Sequence, residues 1–193
     1  MPRYVMNNIV LCLVTVFTAN TYAAPTKINL SGQAHFTVNS SQGKLAGTAP
    51  VKGELSIDFN QPKIATGQFK VSAGEMKVSN EAHRDHLRSA TWLNTNKCPN
   101  ITFDTQSSEV LSFQSSNEEG MSTIKLSIEG RMTLNCVASV FRFEKVILKR
   151  KGKLSKVGSL FNIELRPFKV YGAEGKDSQI NHTMRVTLNL DGK

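Results

Sequence analysis

The chain has 193 residues, 39% of them apolar and 20% charged, with 24 Lys and Arg against 15 Asp and Glu for a net charge of +9. That length suits one domain with a real hydrophobic core, and no stretch beyond the first residues is apolar enough to span a bilayer as a helix, which excludes a polytopic helical membrane protein. The positive excess points to anionic surroundings, a membrane surface before a nucleic acid, with solubility alone as the plainer reading.

In chain order, residues 1–23 read as a secretory signal peptide: Arg3, an apolar run from Ile9 to Phe17, and small residues at Thr21 and Ala23. Cleavage after Ala23 gives a single domain, 24–193, whose net charge falls from +9 to +8 because Arg3 is the only charged residue removed. The product is expected to be exported, with no nucleic acid as partner. Cys12 lies inside the apolar run, away from the cleavage point, so a lipoprotein is not expected.

Two-residue periodicity then dominates. Ile28, Leu30, Ala34, Phe36 and Val38 share one face, and Val51, Gly53, Leu55, Ile57 and Phe59 another. Gly67, Phe69 and Val71 come next, then Ile124, Leu126, Ile128, Gly130, Met132 and Leu134 over a long span. Phe161, Ile163 and Leu165, and last Val186, Leu188 and Leu190, complete the series. Polar turn signals such as "FNQPK" and "KRKGK" separate the runs, so an antiparallel all-β domain is expected. The strands near 27–38, 123–135 and 139–149 are long for a sandwich and suit the tilted wall of a closed barrel. Gly53, Gly67 and Gly130 interrupt apolar faces where a closing sheet bends or a ligand approaches.

One segment breaks the pattern. In "SNEAHRDHLRS", Ser79 and Asn80 are good N-caps, Glu81 meets the helix dipole, and Arg88 lies near the C-terminal end, predicting a short helix over about Glu81 to Arg88. His83, His86 and Leu87 share a face. Two imidazoles need a third ligand, such as Asp85, His35 or His182, and no local carboxylate or cysteine is spaced to supply it, so no metal site is expected. Ser89, His86 and Asp85 lie within one helical turn and point apart, so they cannot act as a triad. No nucleophile elbow or phosphate-binding loop occurs, and no enzyme is expected. Of the cysteines past the signal, Cys98 and Cys136, an oxidising compartment permits a bridge across 38 residues, contributing about 4 kcal/mol by loop-closure arithmetic; two buried, inert thiols are the alternative. Lys149, Arg150, Lys151, Lys153 and Lys156 surround Gly152 as a hairpin tip able to touch anionic headgroups.

The segment "MKVSNEAHRDHLRSATWLNTNKCPNITF", Met76 to Phe103, resembles the signature of the YceI-like family, matched here by Arg84, Asp85, His86, Leu87, Arg88, Ser89, Trp92, Lys97, Pro99, Ile101 and Phe103. The resemblance extends more loosely through "VKGELSIDF" and "IEGRMTLN". It implies an extended, lipocalin-like antiparallel barrel of eight strands with a short helix after the third, exported in bacteria to the periplasm, and binding an isoprenoid lipid or quinone rather than a catalytic cofactor. Cys98 and Cys136 stand where the family has a tyrosine and a glycine, and two such departures in one exported chain favour their pairing. The residues then expected to face an apolar ligand are Phe36, Leu55, Ile57, Phe69, Val71, Phe103, Leu126, Ile128, Met132, Ile163 and Leu165. Arg84, Asp85, Leu87 and Trp92 are expected to form a lid over one barrel end, with the other end open. The rival readings are a ligand-free stress-response or protein-interaction β-domain, and a metal-dependent enzyme built on the helix histidines.

Overall fold

Alternating apolar and polar residues build strand after strand in the computed structural model, which describes residues 24–40, 43–59, 62, 65–116, 120–171 and 180–193. The expected signal peptide lies outside the described residues. Eight long strands run in chain order: β1 Thr26–Ser40, β2 Gly43–Ile57, β3 Ala65–Ser72, β5 Asn100–Ser116, β6 Met121–Leu134, β7 Val137–Lys151, β8 Leu154–Glu164 and β9 Ile180–Gly192, with a two-residue β4, Lys77–Val78, beside β2. Each long strand pairs antiparallel with the next, and β1 pairs with both β2 and β9, so the sheet closes into a barrel with no outer edge strand among the eight. No helix among the described residues is long and apolar enough to cross a membrane.

Directly after β3 the chain makes only a single 3-10 turn, Ala73–Glu75; the helix α1, Glu81–Arg88, comes after β4. The Arg84 amide donates to the Asn80 carbonyl, which makes Asn80 the N-cap residue. Beyond α1 the chain turns back through left-handed Asn94 (φ 49°), and the Leu93 amide donates to the Leu87 carbonyl. The turn between α1 and Asn94 brings Trp92 and Leu93 beside Leu87, all three buried.

The two ends of the barrel differ. The helix end carries the segment from Ala73 to Pro99, the β6–β7 turn and a 3-10 turn at Arg166–Phe168. The hairpin end carries the β5–β6 and β7–β8 hairpins. Inside the hairpin end, Ile28, Leu55, Ile57, Ile124, Leu126, Leu148 and Leu190 are fully buried and fill the lumen. Long aliphatic side chains do this because Ile28 pairs with Leu55, and Leu148 with both Ile124 and Val157, placing large residues side by side on the inner face.

Candidate functional site

Towards the helix end two small residues interrupt the inner wall. Ala34 and Ala49 are direct cross-strand partners on β1 and β2, both buried, and they leave space on that stretch of the inner wall that a pair of leucines would fill. The result is a cavity of about 120 Å³ beneath α1. Every side chain lining it is aliphatic, aromatic or methionine, except Thr102. Met76, Leu87, Trp92 and Leu93 form its roof, contributed by the segment between β3 and β5.

Of the residues expected to face a ligand, Phe36, Phe69, Val71, Phe103, Ile128, Met132, Ile163 and Leu165 line the cavity. Leu55, Ile57 and Leu126 do not; they are buried in the packed hairpin end, on the same inner face but at another height. Leu87 and Trp92 roof the cavity, whereas Arg84 and Asp85 lie outside it. The Arg84 Nε donates to Asp85 Oδ1 at 3.1 Å, an exposed pair between adjacent helix residues. Arg88 also ties α1 to its surroundings: its Nη2 donates to the Gly74 carbonyl.

Residues that alternation did not single out include Met76 and Leu93, which sit in turns, and Phe143 and Val146 on β7. Between Leu126↔Val146 and Ile128↔Phe143 the β6–β7 register shifts, so one β6 residue faces Glu144 and Lys145 together. This bulge moves the inward set of β7 from odd positions before it to even positions after it, which hides the strand's face from a two-residue count.

Cys98 and Cys136 are bonded in the structure, with Cα atoms 5.4 Å apart. Cys98 ends the roof segment and Cys136 lies in the β6–β7 turn, so the bridge fastens the roof to the barrel rim. Asn135, its neighbour, donates through Nδ2 to the carbonyls of Phe168 and Lys169 at 3.3 Å each, joining the same turn to the Arg166–Phe168 turn.

Among the described residues no three His, Cys, Asp or Glu side chains come together as a metal site; the side chain of His86 lies outside the described residues. The cationic hairpin lies at the packed end. There Arg150 stacks its guanidinium 4.3 Å from the Phe59 ring centre and donates to the Gly152 carbonyl, and Lys156 reaches Asp191 at 3.8 Å.

The solved structures of similar fold include the following two. A polyisoprenoid binding domain from Saccharophagus degradans, described as implicated in plant cell wall breakdown, matches with a TM-score of 0.61 at 12% identity, covering 86% of this chain and 97% of that one. BcnA of Burkholderia cenocepacia matches with a TM-score of 0.59 at 14% identity, covering 83% of this chain and 96% of its own. No curated protein sequence matches significantly. The sequence profile of the YceI-like domain matches residues 22–191, almost the whole barrel, and the chain therefore belongs to the YceI-like domain family.

Proposed function

We propose that this protein holds or carries an isoprenoid-type amphiphile in its barrel cavity and performs no chemistry on it. The observation that carries this reading is the cavity itself: apolar on all sides except Thr102, and roofed by apolar side chains. The fold it shares with a polyisoprenoid binding domain supports the class of ligand. Burying a chain here gains about 25 cal/mol per Å² relative to water, yet almost nothing relative to a bilayer, whose tails are equally apolar. A carrier with that balance can load from a membrane and unload to one, selecting its cargo by shape.

We also propose that residues 1–23 direct export and that the protein works in the periplasm. A bonded Cys98–Cys136 pair suits an oxidising compartment. The hairpin around Gly152, with Leu154 exposed among its cations, is proposed as the contact to an anionic membrane surface.

Native mass spectrometry of protein purified from the periplasm without detergent tests the reading. A stoichiometric apolar adduct, extractable into organic solvent, is expected from the wild type. Ala34→Phe fills the space opposite Ala49, so this variant is expected to stay folded and to lose the adduct. A wild type that carries none and binds neither added prenyl alcohols nor prenyl quinones would remove the lipid reading.

A further inference from the structure

The cavity needs an entrance, and among the described residues neither end of the barrel supplies one. The hairpin end is filled by side chains such as Ile57, Leu126 and Leu148, and the helix end is roofed and fastened by the Cys98–Cys136 bridge and by Arg88 on the Gly74 carbonyl. The wall itself is interrupted. Among the described residues, β7–β8 pairing runs from Lys151↔Leu154 to Val146↔Ser159 and stops there. Both strands continue towards the helix end, β7 paired to β6 as far as Val137 and β8 paired to β9 as far as Glu164.

We propose that the apolar ligand enters and leaves through this lateral window between β7 and β8, gated by Phe141, Phe143 and Phe161. The proposal rests on the lipid-binding reading and adds the route. The β7 bulge at Glu144 and Lys145 stands where the two strands part, and a bulge bends the strand that carries it. The window has a frame. On the hairpin side the Ser159 hydroxyl donates to the Lys145 carbonyl at 2.8 Å, and on the helix side Asn135 holds the Phe168 and Lys169 carbonyls.

Rings fill it. Phe141 and Phe143 lie 4.9 Å apart between centres, Phe143 and Phe161 4.6 Å, and Phe141 and Phe161 5.8 Å, all edge to face. Phe143 also meets Phe103 at 4.8 Å, and Phe143, Phe161 and Phe103 all line the cavity. The outer flanks are apolar too: Val140 is 65% exposed and Leu160 54%. Where the ladders are continuous a chain crossing the wall would have to break their hydrogen bonds; here it has only to displace side chains, which change rotamer quickly. Among the described residues pairing also lapses along β5 beyond Asp104, which borders the packed end with no β5 residue beyond Phe103 lining the cavity, and along β2 at Ala49 and Pro50, where the chain passes from β3 to β4 through the Ala73–Glu75 turn.

Trp92 is the only tryptophan of the chain and lies in the cavity roof, so its fluorescence reports occupancy. Stopped-flow mixing with geranylgeraniol is expected to show Phe141→Ala loading and unloading several-fold faster than wild type, with a much smaller change in Kd, because Phe141 lies in the window but not in the cavity lining. Phe161→Leu is expected to act in the same direction. Wild-type rates in both variants, with faster exchange in the unfastened Cys98→Ser/Cys136→Ser protein, would overturn the window in favour of the roof. Hydrogen exchange reads the window without ligand: alternate amides of residues 139–145 are expected to exchange far faster than those of residues 146–151, and uniform protection along β7 would overturn it. A wild type whose Trp92 never responds to geranylgeraniol overturns the lipid reading and the route together, whereas a normal response with unchanged rates overturns the route alone.

Discussion

A methyl group at Gly130 would lie 2.6 Å from Cζ of the Phe103 ring and against the Asp104 carbonyl, and one at Gly53 would lie 2.5 Å from Cδ1 of Phe69. These glycines let an aromatic ring from the neighbouring strand come close against the backbone, and the two rings so accommodated both line the cavity. Bending of the sheet and close approach of a ligand, the two meanings such glycines carry in a sequence, are thus joined by a third: seating for the cavity wall. Gly130→Ala is expected to cost about 1–3 kcal/mol of stability, the usual penalty of overpacking, read as a lower urea midpoint at unchanged m value. An unchanged midpoint would show that Phe103 can move away freely.

Among the elements, the roof segment depends on one covalent tie. The β6–β7 turn holds Asn135 and Cys136 at φ 52° and 56°, both left-handed, a two-residue connection that normally favours Asn-Gly. Cys136 occupies the position where glycine would be free of strain, so the bridge is obtained at a backbone cost of about 1 kcal/mol. Replacing both cysteines by serine is expected to lower stability by about 2–4 kcal/mol, and Cys98→Ser/Cys136→Gly by about 1 kcal/mol less, both measured by urea unfolding. Equal losses would show that the turn carries no strain at Cys136. How legible these elements are in sequence varies for physical reasons. Alternation marks β1 and β6 clearly, because each turns one apolar face inward along its length. It fails over "GKLAGTAP" in β2, where small residues border the cavity and Pro50 sits between the stretches paired to β3 and to β4. It fails again over "DTQSSEVLSF" in β5, whose register shifts twice, after Thr105 and after Val110. The helix, by contrast, is written plainly in its cap and its charges.

For the molecule as a whole, alternation reveals which face a residue takes but not its height along the barrel. Leu55, Ile57 and Leu126 read like Phe36 or Met132 in sequence, yet the first three fill a solid end and the others border a hollow one. What decides is the size of the residues that share one height of the inner wall, and Ala34 beside Ala49 is a pairing that only the register brings together. A barrel solid at one end and hollow at the other also has an unequal response to compression. Unfolding eliminates internal void, so pressure favours the unfolded chain in proportion to the space removed. The half beneath α1 should therefore loosen first as pressure rises, with Trp92 emission shifting before the strands of the hairpin end are lost. An occupant that fills the cavity should raise the pressure midpoint, and Ala34→Phe should raise it without any occupant. High-pressure fluorescence would show both, and coincident loss of the two halves at one unaltered midpoint would mean that the hollow is already filled by the protein's own motion.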